Sequence, residues 1–164
     1  MVDGSTNLKT IVIKGAPLKE NGAISGSYWF AGAGSTLTSI DFSEFNGGII
    51  KPASSTTYVF YGCARVIEIK GVVDLSDALE SNISKYFDTT PSLQSIKFLP
   101  GSIKVSGLKL SSANLTDDSI KSVIEGLYDY SGDSNSHIIT LNSKFMNDEN
   151  IKRQIEEKGW SFSS

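Results

Sequence analysis

Cysteine and histidine each occur once in the 164 residues, as Cys63 and His137. A lone cysteine forms no internal disulfide, so a reducing and an oxidising compartment stay equally open. Cys63 with His137 is also the only Cys-His dyad the chain could build. H-E-x-x-H, C-x-x-C and other metal-ligand spacings are missing, and neither a metal nor a cofactor is expected. No run of about 18 apolar residues offers a membrane-spanning helix, and the opening MVDGSTNLK has neither the charged nor the apolar part of a signal peptide. Positive charge is sparse too: 15 Lys and Arg lie scattered against 18 Asp and Glu, giving a formal charge of −3. A phosphate backbone needs a basic stripe, so no nucleic-acid partner is expected.

What is present fits a globular chain, with 39% hydrophobic and 20% charged residues. The length suits a single domain over 1–164. Fifteen glycines among many serines imply frequent turns.

An apolar triplet of the form L-x-x-I-x-F recurs: Leu8, Ile11, Ile13; Leu37, Ile40, Phe42; Val66, Ile69, Gly71; Leu93, Ile96, Phe98. Its first members step by 29, 29 and 27 residues. A near-constant step of this size is the signature of a solenoid, whose units bury their apolar faces only against one another. Within each triplet the last two positions lie two apart and share one face of a short strand. Phe30, Phe60 and Phe87 precede the later triplets by six or seven residues and should stack as an internal column opposite the strands. Cys63 falls between aromatic and triplet, where Ala33 and Thr90 stand in the neighbouring units, and so it reads as a small buried residue.

The segments YWFAGAGSTLTSIDFS and YVFYGCARVIEIKG resemble the F-x-G-C-x-x-L-x-x-I repeat of BspA-like leucine-rich repeat proteins of bacteria, over roughly residues 7–101. The resemblance implies an α/β solenoid, a coil with a parallel sheet of short strands. It also implies a non-catalytic protein-binding or adhesion module of a bacterial cell-surface or secreted protein, engaging a host, matrix or envelope protein.

After Gly101 the period breaks, and 102–164 reads as a strand-helix capping unit. Thr116 is placed as an N-cap with Asp117 and Asp118 in the first turn, and Leu115 with Ile120 forms a staple across it. Ile120, Val123, Ile124 and Leu127 follow the helical period. HIITL (137–141) is the next strand. A second helix is expected with Asn147 as cap, Met146 stapled to Ile151, and Gly159 as its left-handed stop, Trp160 folding back on Ile155. A short strand through Trp160 and Phe162 should close the chain. This ending resembles the C-termini of leucine-rich proteins of Firmicute bacteria and their prophages, which implies the alternative function: a structural or receptor-contacting part of a phage or prophage particle. MVDGST shows no matching cap, so the natural protein is expected to extend upstream.

Other candidates reduce to structure. AGAGST (31–36) has Leu37 where a dinucleotide loop needs its third glycine and precedes a strand, so it is a turn. Asp117 and Asp118 are explained by their helix start. The sequons at Asn82 and Asn114 carry no weight by themselves. What remains is a surface. Parallel strands in register should align Thr10, Ser39, Glu68 and Ser95 in one outward row and Val12, Asp41, Lys70 and Lys97 in the next, with Ile138 and Thr140 outward on the later strand. These ten residues form the expected protein-binding face.

Overall fold

The computed structural model describes residues 7–15, 22–30 and 35–163. Residues 1–6, and with them MVDGST, lie outside it, as do positions 31–34 of the AGAGST turn, Ala33 included. The chain forms an α/β fold built on parallel strands. In chain order these are β1 (Thr10–Gly15), β2 (Ala23–Ile24), β3 (Ser39–Phe45), β4 (Ile49–Pro52), β5 (Glu68–Val73), α1 (Glu80–Ile83), β6 (Ser95–Phe98), β7 (Leu108–Lys109), α2 (Asp117–Gly126), β8 (His137–Thr140), α3 (Ser143–Met146), α4 (Glu149–Glu157) and β9 (Trp160–Phe162).

One sheet runs β1-β3-β5-β4-β2 with β6 on β5, and a second runs β7-β8-β9; every pairing is parallel. Parallel neighbours need a crossover connection, so the chain leaves the sheet and returns to it between paired strands. A backbone ladder runs across the sheet just ahead of its strands and on to α2. Lys9 C=O accepts from Thr38 N–H (2.8 Å), Thr38 C=O from Ile67 N–H (2.8 Å), Ile67 C=O from Gln94 N–H (2.8 Å), and Gln94 C=O from Thr116 N–H (3.0 Å).

The expected interior column is present. Phe60 stacks on Phe30 at 5.8 Å and on Phe87 at 5.2 Å between ring centroids, with Phe42 and Phe98 edge-on to the column. All five rings are buried, as are Leu37, Ile40, Val66, Ile69, Leu93 and Ile96. One turn recurs along the column: Cys63 N–H bonds Phe60 C=O, Thr90 Oγ1 bonds Phe87 C=O, and Ala113 N–H bonds Leu110 C=O.

The third triplet differs from its expected form. Gly71 is not its inward member; Val73 is, fully buried and opposite Phe98. Between Glu68 and Val72 strand β5 carries two more residues than β6 does between Ser95 and Lys97. The bulge centres on Gly71 at φ +100°, where an added Cβ would lie 3.0 Å from Gly48 O and 3.2 Å from Phe42 Cβ. Only glycine accepts both that angle and that approach. Upstream of the bulge β5 pairs with β3; downstream it pairs with β4.

The two ends of the sheet are treated differently. On β1, Ile11 and Ile13 are only partly buried, whereas their counterparts in the later circuits are enclosed. Beyond β6, α2 takes the place of another strand. Ser119 Oγ accepts from Ile96 N–H (3.1 Å) and Ser122 Oγ from Phe98 N–H (2.9 Å), so a helix satisfies donors that an edge strand would expose. Thr116 caps this helix, its hydroxyl accepting from Ser119 N–H, and Ile120, Val123 and Ile124 face inward.

At the second long helix the cap is Asp148, whose carboxylate accepts from Asn150 and Ile151 N–H. Asn147 instead ends the short α3, which Asn142 caps. A one-residue shift replaces an amide by an ionised acceptor facing the helix dipole, the stronger arrangement. Gly159 has φ +79°, and an added Cβ there would collide with the Tyr130 carbonyl. Trp160 is buried and donates its indole N–H to Tyr128 C=O (2.8 Å).

Candidate functional site

The ten expected surface residues divide into three groups. Thr10, Ser39, Glu68 and Ser95 are successive partners across β1, β3, β5 and β6 and align as the first row, but Ser39 is buried there, its hydroxyl bonded to Glu68, so it is not the outward residue expected. Val12, Asp41 and Lys70 align as the second. Lys97 does not join it, because the Gly71 bulge sets Lys97 opposite Val72. Ile138 and Thr140 lie on β8 of the separate sheet, paired with Ser161 and with Lys109, so they continue neither row.

Much of this face is occupied with itself. Ser39 Oγ donates to Glu68 (2.8 Å), and Lys70 Nζ lies 3.4 Å from Glu68 and 3.9 Å from Asp41. The Ser43 hydroxyl and backbone N–H hold the Asp41 carboxyl below its usual pKa, with a smaller contribution from Lys70. Pairs of this exposure contribute tenths of a kcal/mol, about what a solvated sheet gains anywhere. Beside them the bulge opens a shallow depression of about 410 Å³, lined by Ser43, Gly47, Lys70, Gly71, Ser95 and Lys97.

Cys63 is fully buried in the aromatic column, and burial pushes its thiol up to about 12. A thiol so placed is neither ionised nor reachable at neutral pH. His137 has other neighbours: it stacks on Tyr130 at 3.7 Å, lies near Trp160, and places Nε2 3.4 Å from Asp133. Among the described residues no group of three or more His, Cys, Asp or Glu could hold a metal ion, and no helix is long and apolar enough to cross a membrane.

A second surface was not anticipated. Two residues before each phenylalanine of the interior column stand Tyr28, Tyr58 and Lys85. Tyr28 and Tyr58 stack at 4.6 Å with an interplanar angle of 8°, Lys85 Nζ lies 5.6 Å over the Tyr58 ring, and Tyr61 stands edge-on to both tyrosines. Tyr28 is 43% exposed and Tyr61 37%. Burial and the neighbouring Tyr58 phenol raise the pKa of Tyr28.

The backbone beneath this ladder is strained. Tyr28 and Tyr58 have φ of 57° and 55°, left-handed angles that cost a residue with a Cβ about 1–2 kcal/mol. Glycine would adopt them freely, so each bulky ring is held in place against a local cost. Hydrogen bonds between the circuits maintain it: the Ser27 and Thr57 hydroxyls are 2.7 Å apart, Thr57 N–H donates to Ser27 Oγ (3.2 Å), and Tyr28 N–H reaches Thr57 C=O (3.4 Å). The sequence carried a signal in the spacing Y-x-F, Y-x-F, K-x-F, in step with the phenylalanine column.

Comparison of the chain with protein-family models, with curated proteins and with solved structures finds no match.

Proposed function

We propose that the chain is one leucine-rich-repeat-like solenoid domain and serves as a non-catalytic protein-binding module of a bacterial surface or secreted protein. The observation that supports this reading is the in-register row Thr10, Ser39, Glu68 and Ser95, drawn from four circuits of the chain. A row of this kind is an extended surface whose residues are held in register by the sheet before any partner arrives, which lowers the entropic cost of association. Lys97 and Ser95 beside the depression add polar groups outside the internal pairing of Ser39, Asp41, Glu68 and Lys70.

The test is a pull-down with the immobilised protein from extracellular-matrix extract and from bacterial envelope extract. Its control carries Asp41→Lys, Glu68→Lys and Lys97→Glu together. The expected outcome is a protein captured by the native chain and lost by the control. Equal capture by both, or none, would overturn the reading and favour a structural spacer such as a phage-particle component.

A further inference from the structure

We infer that the tyrosine ladder is a saccharide-binding site, formed by Tyr28, Tyr58, Tyr61, Lys85 and Asp88. This surface is distinct from the sheet face, and the inference does not rest on the protein-binding reading.

Tyr58 carries Tyr28 stacked at 4.6 Å and Lys85 above it. Among the described residues Tyr28 has one stacked partner, Tyr58, and it is 43% exposed, so much of its ring is open to solvent. Tyr61, perpendicular to the stack at 5.2 Å from Tyr58 and 6.3 Å from Tyr28, makes a corner beside it. A flat π face attracts positively polarised C–H groups, and one face of a pyranose ring presents several of these together.

The polar groups fit the same ligand. Asp88 holds the position after Phe87 that Tyr61 holds after Phe60, and Gly62 N–H, next to Tyr61, donates to Asp88 C=O (3.1 Å). The exposed Asp88 carboxylate makes one long hydrogen bond, 3.5 Å from Thr89 Oγ1, which leaves most of its acceptor capacity for a ligand. Lys85 supplies donors. Sugar hydroxyls both donate and accept, so they suit a patch that carries both a carboxylate and an ammonium. An apolar protein surface laid on the patch would desolvate both ions without replacing their hydrogen bonds. A proline-rich strand is also disfavoured, because rings stacked at 4.6 Å leave no slot between them. The strained angles at Tyr28 and Tyr58 agree with a functional use: the fold holds two large rings where glycine would sit without strain.

The test uses the full chain on an array of immobilised short oligosaccharides of neutral, N-acetylated and uronic hexoses, followed by calorimetric titration of whatever binds. The native protein is expected to bind at least one class. Tyr28→Ala should weaken that binding about tenfold, the loss of one stacking contact. Tyr28→Phe should stay within about threefold of native, since it keeps the ring and reports that folding is intact. Asp88→Asn should weaken binding without changing the melting temperature. Binding to no saccharide on the array, or binding indifferent to Tyr28→Ala, would overturn the inference. A protein partner lost with Tyr28→Ala while no sugar binds would also overturn it, by reassigning the patch to protein contact.

Discussion

Two aromatic columns run side by side through this protein, separated by two residues of sequence. Phe30, Phe60 and Phe87 stack inside it; Tyr28, Tyr58 and Lys85 form a parallel ladder outside. The offset of two residues recurs at Tyr28/Phe30, Tyr58/Phe60 and Lys85/Phe87, so the two columns lie in step. The environments then diverge. The interior column is closed by edge-on rings and by small residues at Cys63 and Thr90, and each of its members is nearly or fully buried. The outer ladder adopts left-handed backbone, stays half open to solvent and ends in a cation. One column is explained by stability; the other is not.

The largest expected effect follows from this difference. Phe60 contacts rings on both sides and is fully buried, so Phe60→Ala should destabilise the protein by about 3–5 kcal/mol through lost transfer energy and an unfilled cavity. Tyr28→Ala, which removes a ring of similar size from the exposed ladder, should cost less than about 1 kcal/mol. Urea denaturation of the two variants, compared at equal m-value, checks the pair. Equal losses would mean that the ladder is a second core and would remove the physical reason for treating it as a site.

The interior was far more legible in the sequence than the surface. The apolar triplets point to the strands β1, β3, β5 and β6 and to their parallel pairing, because burial demands an apolar residue at each inward position, but they do not point to β2 and β4, which also pair in this sheet. Thr116 and the face of α2 could be read for the same reason: a cap and a 3.6-residue period are local. Legibility failed where the chain departs by one or two residues. The bulge at Gly71 moves the inward position to Val73 and takes Lys97 out of its row, and it shows in an angle and a close approach to Gly48, neither of which a spacing reveals. Asp148 and Asn147 are both good caps, and only the geometry of α3 decides between them. Ser119 and Ser122 look like ordinary exposed-face residues until β6 is seen to lack a neighbouring strand. The tyrosines were in step all along, but an outward residue answers to no packing rule.

Effects smaller than that of Phe60→Ala isolate backbone strain, the property that separates the two columns. Gly62 and Thr89 hold the same place in successive circuits, two residues after Phe60 and Phe87, and share left-handed φ of 70° and 62°. A Cβ built on Gly62 meets nothing within 4 Å, so Gly62→Ala adds no clash and reports the angle alone. It should destabilise by about 1 kcal/mol, somewhat less than the full left-handed cost because alanine also restricts the unfolded chain. Thr89→Gly runs in the opposite direction. It relieves the strain and loses only a 3.5 Å hydrogen bond to Asp88, but glycine frees the unfolded chain, so a net gain of about 0.5 kcal/mol is expected. Thermal unfolding of both variants checks the two signs. If Thr89→Gly instead destabilises, the turn tolerates a β-branched residue without strain, and the same angles under Tyr28 and Tyr58 would no longer point to rings held in place for a ligand.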